Sequence, residues 1–371
     1  MLMGKVDKSL LGGALALAAT AGFFAGQLTE RQAGTRIAAS GAKRRSDQPR
    51  LDALIGLERG RGRSAEHPGE IPMRGWKDIL IRTVKEFLDD EAPLVAAGVT
   101  FYSLLALFPG IGAFVALWGL FGDVGEAQRN LQSLTTILPG GAITVISDHM
   151  ANVAAAHESG LSLAALGGLL LSIWSADGAM TALIVGVGIA YDEPDKRGFL
   201  KKKLVSLSFT AGFLVFALAA AAVTVIYPAL KHHNGSDAAL VFGAVAWPAL
   251  FIILCGGLAL LYRHGPSRDR AKWRWITWGS VVAAVIWLAA SIGFSLYAAN
   301  FGTYDKTYGP LGAVVGFMTW IWISSMVVLL GAELNSEIEH QTVKDSTVGR
   351  PRRRGRRGAK MADTVGEAQG S

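Results

Sequence analysis

The last apolar stretch of the chain, residues 308–335, reads YGPLGAVVGFMTWIWISSMVVLLGAELN. It carries no charged residue between Leu311 and Ala332, a run of 22 residues. About 20 apolar residues suffice for a helix to cross the hydrocarbon core of a bilayer, so this stretch predicts a membrane-spanning helix. Gly312 and Gly316 lie four positions apart, which predicts close contact with a neighbouring helix on that face.

Five further stretches are just as apolar, so the sequence predicts an all-α, polytopic membrane protein with six transmembrane helices. They occupy residues 92–122, 161–191, 204–230, 238–262 and 275–304. Pro109 lies inside the first stretch and is expected to kink it, because proline lacks the N–H that the helix needs.

The remaining segments divide the chain into four parts. Residues 1–30 contain an Ala- and Gly-rich apolar stretch and form either an N-terminal membrane helix or a signal-like segment. Residues 31–74 predict a flexible cytoplasmic linker, residues 75–340 the six-helix membrane domain, and residues 341–371 a basic, disordered cytoplasmic tail. Within the domain, residues 76–91 have the spacing of an amphipathic helix that lies on the membrane surface.

Lysine and arginine predict the orientation. Of the 36 in the chain, 31 lie in residues 31–91, 191–203, 263–275 and 335–371. The alternate segments carry only Arg129, Lys231 and Lys306. Since positive loops stay in the cytoplasm, we expect a multi-pass protein of the bacterial inner membrane with a cytoplasmic C-terminus.

Composition argues against several kinds of site. Cys255 is the single cysteine, which excludes an intramolecular disulfide and a zinc site built from several cysteines. The seven histidines show no H-x-H or H-E-x-x-H spacing. The sequence therefore predicts no catalytic residues, no metal, no cofactor and no enzymatic activity. The basic segments predict contact with anionic lipid headgroups rather than specific binding of nucleic acid.

Four blocks of sequence resemble the YihY/virulence factor BrkB family of bacterial membrane proteins. They are AAGVTFYSLLALFPG at 96–110, IWSADGAMTAL at 173–183, LYRHGPSRDRAKWRWITWGS at 261–280, and the stretch 308–335. Asp177 stands where the family more often has a small or basic residue. The resemblance implies a six-helix inner-membrane protein, a type proposed to transport solutes or, in some members, to export envelope lipids. It also implies that the older family label, ribonuclease BN, is a misassignment.

Polar and aromatic residues in or beside the predicted spans are candidates for a cavity or transport pathway. Asp177 and Glu333 are the carboxylates among them, and an ionisable group within a span marks either a pathway or a structural pair. For Glu333 the pair would be Arg197 or a basic residue of the 263–274 loop. The full candidate set is Tyr102, Ser103, Pro109, Trp174, Asp177, Tyr297, Tyr308, Glu333 and Asn335.

The sequence leaves two hypotheses for function. The first is a transporter or lipid-handling permease, whose unknown solute or lipid would pass through a cavity in the bundle. The second is a scaffold that transports nothing and recruits partners through its tails and the 123–160 segment. A water-accessible cavity that contains Asp177 or Glu333 would favour the first, and a bundle filled with apolar side chains would favour the second.

The charge distribution predicts the accessibility of single cysteines in intact cells. In a Cys255→Ser background, cysteines introduced at Thr135 and Asn234 should react with a membrane-impermeant maleimide. A cysteine at Ser267 should react only after the membrane is permeabilised, because its loop is one of the segments rich in lysine and arginine that we expect in the cytoplasm. Labelling at Ser267 in intact cells would contradict the orientation.

Overall fold

A computed structural model of the chain describes residues 58, 60–118, 163–233, 235–299 and 310–369. The N-terminal apolar stretch, the first part of the linker, Tyr308 and the 123–160 segment fall outside these residues. The predictions made for them therefore stay predictions.

The described residues are helical apart from the connections between helices and most of residues 60–72 and 341–369. The helices are α1 (Met73–Asp89), α2 (Ala92–Trp118), α3 (Leu163–Ala190), α4 (Phe199–His233), α5 (Gly235–His264), α6 (Trp273–Ala299), α7 (Pro310–His340) and the short α8 (Lys360–Asp363). Within α3 to α7 there are five segments long and apolar enough to cross a membrane. The first part of α2 adds a sixth when joined to α1, from which it is bent by 58°. The predicted all-α fold with six membrane helices is confirmed.

Helix α7 packs against more of the other helices than any other described element. It contacts α1, α2, α3, α5, α6 and α8, whereas α4 packs mainly against α3 and α5. The apolar stretch that identifies the fold in the sequence is therefore central in the bundle as well, and α4 lies at its periphery.

Helices α7 and α6 lie close together at Gly331. A Cβ atom added to Gly331 would lie 2.6 Å from the Cβ of Ala283, and one added to Gly279 would lie 2.5 Å from the carbonyl oxygen of Gly331. Gly316, in contrast, has open space where a Cβ would stand. The close contact predicted at Gly316 was wrong, because four-residue spacing gives a helix face but does not say whether a neighbour packs there.

Helix α1 is amphipathic, but its buried face is charged and its exposed face is apolar. Its buried face carries charge, including Asp78 and Arg82, while Leu80, Val84 and Leu88 are more than half exposed. A row of apolar side chains at four-residue spacing beside a membrane domain is the face that enters the bilayer interface. The arrangement fits the expectation that α1 lies on the membrane surface.

Residues 341–369 pack against one end of the helix bundle, together with residues 60–72. We call this end the tail side and residues 341–369 the tail cap. Ala271 forms an antiparallel β-bridge with Thr347, and the amide of Lys360 donates to Glu193 Oε1 at 2.6 Å. The amide of Gln369 donates to Asp78 Oδ1 at 3.0 Å. Residues 60–72 and 341–369 are thus packed in the structure, whereas composition predicted a flexible linker and a disordered tail there.

Arginine explains how such a basic segment folds. Arg357, which is 6% exposed, donates to the carbonyl oxygens of Ala362 at 2.6 Å, Val343 at 3.0 Å and Lys344 at 3.2 Å. A guanidinium has five N–H donors in one plane and can satisfy several backbone carbonyls of an irregular chain at once. Composition alone does not show whether an arginine donates to backbone carbonyls in this way or is exposed to water.

A buried ion pair joins α1 to the end of α7. Arg82 Nε lies 2.5 Å from Glu337 Oε2, and Arg82 also donates to Gln341 Oε1 at 2.7 Å and to the carbonyl of Glu367 at 2.8 Å. Both charged side chains are almost fully buried. Arg82 therefore links the surface helix, the last span and the tail cap.

We predict that Arg82→Ala destabilises the folded protein by about 3–5 kcal/mol, because it leaves the Glu337 carboxylate buried without its cation. The matched control is Arg352→Ala in the tail cap. Arg352 pairs with Asp269 at 2.6 Å, but the two side chains are 44% and 45% exposed, so its loss should cost less than about 1 kcal/mol. Thermal unfolding in detergent measures both variants. Equal effects would contradict the role of Arg82.

Candidate functional site

A cavity of about 1740 Å³ lies among the six membrane helices. Residues from α2 to α7 line it, with the largest share from α4 and α5. Nearly all the lining is apolar, and Leu183, Phe213, Leu254 and Ile321 are typical of it. With this volume, the cavity is a feature of the described bundle that a ligand could occupy.

Small residues create the space. Gly212 on α4 and Gly256 and Gly257 on α5 all line the cavity, and a Cβ atom added to any of them would meet nothing within 4 Å. Helix α4 packs mainly on its two neighbours α3 and α5, and these three glycines leave open space in the wall of the cavity.

Four of the six hydroxyl groups in the described wall, those of Ser103, Ser172, Ser208 and Thr210, donate to backbone carbonyls. Ser103 donates to the carbonyl of Val99 at 2.8 Å, and Thr210 donates to that of Ser206 at 2.9 Å. Ser172 likewise donates to a backbone carbonyl, at 3.2 Å. A hydroxyl bonded back to its own or a neighbouring helix offers little to a polar ligand. The wall therefore suits hydrocarbon better than an ion or a sugar.

Two basic residues line the cavity at the tail side. Lys201 lies in the first turn of α4, and His264 is the last residue of α5. Because α4 and α5 are consecutive in the chain and pack side by side, the start of α4 and the end of α5 lie at the same side of the bundle. The apolar cavity thus has a basic mouth, which sequence reasoning missed although Lys201 to Lys203 form a visible run of three lysines.

Asp177 is buried in an ion pair beside the cavity. Its carboxylate pairs with Lys203, and Ser206 donates to its Oδ1 at 2.5 Å. The Lys203 ammonium also lies 5.2 Å from the ring centroid of Trp174. Asp177 is 1% exposed and does not line the cavity, so its geometry is that of a structural link between α3 and α4.

Glu333 is buried in α7 and is 2% exposed. The pairing expected for it is not formed, since Arg197 pairs with Asp195 at 2.8 Å and Arg268 with Glu339 at 2.6 Å. The charged groups that act on Glu333 are themselves carboxylates, namely Asp90, Glu337, Glu86 and Asp192. Glu333, like Asp177, lies outside the cavity lining.

The basic loop between α5 and α6 is fixed by Arg268. Burial opposes a charge on Arg268, but the carboxylate of Glu339 outweighs that effect, so the pKa of Arg268 is raised above its ordinary value. Its guanidinium carbon also lies 4.5 Å from the ring centroid of Tyr191. Part of the positive charge of this loop is thus paired with a carboxylate within the protein.

The other candidate residues have separate surroundings. Of the nine, Ser103 lines the cavity. Tyr102 packs on Gly178 so closely that a Cβ there would lie 2.9 Å from its ring. Asn335 accepts a hydrogen bond from the amide of Gly279 at 2.8 Å. Trp174 and Tyr297 are 60% and 56% exposed, and Pro109 lies in α2, where only its backbone is described. The candidates do not form one site.

The chain is similar to bacterial membrane proteins of one family. A sequence model of the family described as Virulence factor BrkB matches residues 83–356. No solved structure matches the chain.

Three relatives illustrate the similarity. The chain is 28% identical over 176 residues to the ribonuclease-like protein YfkH of Bacillus subtilis, which covers 46% of this chain and 63% of that protein. It is 27% identical over 273 residues to the UPF0761 membrane protein RSc1559 of Ralstonia nicotianae, covering 71% and 60%. It is 24% identical over 284 residues to a UPF0761 membrane protein of Pseudoalteromonas translucida, covering 73% and 88%. The chain therefore spans less than two thirds of the length of the first two relatives.

The geometry predicts that Asp177 and Lys203 are coupled in stability. Lys203→Gln alone should cost more than the double variant Asp177→Asn/Lys203→Gln, because the single change leaves a buried carboxylate without its cation. We expect a coupling energy of about 1–3 kcal/mol from a double-mutant cycle in thermal or denaturant unfolding. Additive effects would show that the pair contributes nothing as a pair.

Proposed function

Since this chain belongs to the virulence factor BrkB family of membrane proteins, we propose that it is a lipid-handling permease of the inner membrane. In this proposal the acyl chains of a membrane lipid enter the apolar cavity, and the protein passes the lipid on. The observation that carries the proposal is the cavity itself, with its volume of about 1740 Å³ and its apolar wall.

The size and chemistry of the cavity support a lipid over a small solute. Pockets for small molecules are commonly about 300–1000 Å³ and combine apolar walls with a few convergent polar groups. This cavity is larger, and four of the six hydroxyl groups in its described wall donate to backbone carbonyls. Hydrocarbon is the ligand chemistry that needs no hydrogen bonds from the wall.

Transport of an ion or polar solute has less support. A polar pathway would be expected to contain the membrane carboxylates, yet neither Asp177 nor Glu333 lines the cavity. Asp177 is already neutralised by Lys203. The two carboxylates are therefore better candidates for structural roles than for coupling sites.

The scaffold hypothesis also has less support in the part of the chain that is described. A scaffold would present its tail to partners, but the tail cap is packed on the bundle, where the amides of Lys360 and Gln369 donate to Glu193 and Asp78. Residues 123–160 and the N-terminal segment lie outside the described residues, so they carry no argument in either direction.

The basic mouth of the cavity lies at the tail side, which we take to be the cytoplasmic side on the evidence of the charge count. Exposed basic residues at this side, such as Lys77, Lys85 and Arg270, would then contact anionic headgroups of the inner leaflet. We assign no catalytic step to the protein. The ribonuclease-like name belongs to YfkH.

We predict that Gly257→Trp, which places a large side chain inside the cavity, lowers the amount of lipid bound to the purified protein by about tenfold. The added side chain enters open space, so it should displace lipid without distorting the helices, and overpacking an occupied site costs about 1–3 kcal/mol. Native mass spectrometry of the detergent-purified chain measures bound lipid, and fluorescent-lipid translocation in proteoliposomes measures movement.

The matched control is Gly293→Trp on α6. Gly293 also has open space for a Cβ but does not line the cavity. It should retain bound lipid and translocation. Equal lipid binding by the two variants would contradict the proposal.

A further inference from the structure

The basic mouth of the cavity has the chemistry of a headgroup site. We propose that Lys201, assisted by His264, binds the phosphate of an anionic phospholipid whose acyl chains occupy the cavity. This inference rests on the proposed lipid-handling function and names the class of lipid. It depends on three observations. Lys201 has no counter-charge within the described protein, His264 has one ring nitrogen available, and the charges around His264 are positive.

Lys201 is a cation without an internal counter-charge. Its neighbour Lys203 pairs with Asp177, and the nearby carboxylate of Asp195 pairs with Arg197 at 2.8 Å. Lys201 forms no hydrogen bond or ion pair with any residue that the structure describes, and it is exposed at the cavity edge. A lysine in the first turn of a helix also opposes the helix dipole, so the protein itself gives this charge no stabilisation.

His264 has one ring nitrogen available. Its Nδ1 lies 3.2 Å from the carbonyl oxygen of Leu260. Because a carbonyl oxygen only accepts, Nδ1 is assigned the proton in this contact, which leaves Nε2 for a ligand. Nε2 accepts from a headgroup hydroxyl when the ring is neutral and donates to a phosphate oxygen when the ring is protonated. Both are groups of a phospholipid such as phosphatidylglycerol.

The electrostatic surroundings favour an anion at this mouth. The charged groups that act on His264 are Arg263 and Arg270, both cations. The guanidinium of Arg263 lies 4.2 Å from the ring centroid of Trp273, and its buried Nε has no hydrogen-bond partner in the described part of the chain. His264 thus lies among cations, and Lys201 adds a further positive charge to the wall at the same side of the cavity. This combination matches a ligand with a phosphate at one end and hydrocarbon at the other.

Free phosphate and the phosphate of a lipid offer the same oxygen atoms to Lys201. The two differ in the group attached to the phosphate, because a free anion carries no hydrocarbon and leaves the adjoining apolar wall uncovered. Leu204, Leu260 and Leu261 line the cavity beside the two basic residues. Hydrocarbon attached to the phosphate would cover these side chains, which favours the lipid.

The test compares two lipids with the same acyl chains. The full chain is purified in detergent, and binding of dioleoyl phosphatidylglycerol and dioleoyl phosphatidylcholine is titrated by native mass spectrometry. We expect the wild type to prefer the anionic lipid and Lys201→Gln to reduce that preference about fivefold, the effect of one basic residue near a headgroup. Lys201→Gln/His264→Gln should reduce it further, and Lys201→Glu should abolish it.

The control for general surface charge is Lys77→Gln/Lys85→Gln. Both lysines are on α1, at the same side of the bundle, and neither lines the cavity. This double variant should keep the wild-type preference. A preference that falls equally in the control, or that survives Lys201→Gln and Lys201→Glu, would overturn the inference.

A competition experiment separates the two sources of phosphate. Inorganic phosphate or glycerol 3-phosphate, added in large excess over lipid, should leave bound phosphatidylglycerol unchanged. Loss of the preference for phosphatidylglycerol in the presence of either compound would overturn the assignment to a lipid.

The lipid titration also separates this inference from the proposed function. Equal binding of both lipids would remove the headgroup site alone, whereas failure of the wild type to bind either lipid would remove the lipid-handling function itself.

Discussion

The interior of a bilayer contains no water, and this constraint determines how the chain distributes its polar groups. Backbone N–H and C=O groups in hydrocarbon must be satisfied within a helix. Several serines and threonines of the described spans accordingly bond back to helix carbonyls, as Ser103, Ser208 and Thr210 do. Charged residues gather at the tail side, where buried ion pairs such as Arg82 with Glu337 join separate elements.

The same constraint explains why a large apolar cavity is tolerated. In a water-soluble protein an open apolar space of this size would be costly, but in a membrane lipid chains can fill it. Helix α4 packs mainly on α3 and α5, and Gly212, Gly256 and Gly257 leave the space unfilled. A protein that only needed stability would gain from larger side chains at these positions. Under the proposed function, their small size leaves room for the acyl chains of a lipid.

The tail side combines rigidity with charge. Arg82, Arg268 and Arg357 are buried and paired, and they hold the tail cap and the loops together. Lys201, a few residues into α4, is left exposed at the mouth of the cavity. The basic composition of this side thus serves two purposes. One set of cations folds the protein, and a second set faces outward, where anionic lipids would meet it.

The sequence by itself determined the six membrane helices, the amphipathic helix and the family, because each depends on local composition and spacing. The run without charge from Leu311 to Ala332 is enough to require a helix in hydrocarbon. Only the tertiary structure decided that residues 341–369 fold, since Arg357 is satisfied by carbonyls that become its neighbours only when the chain packs. It also decided the close contact at Gly331 rather than Gly316, and the separation of Asp177 and Glu333 from the cavity. A cavity is space between helices, and no single stretch of sequence records how far apart two helices lie.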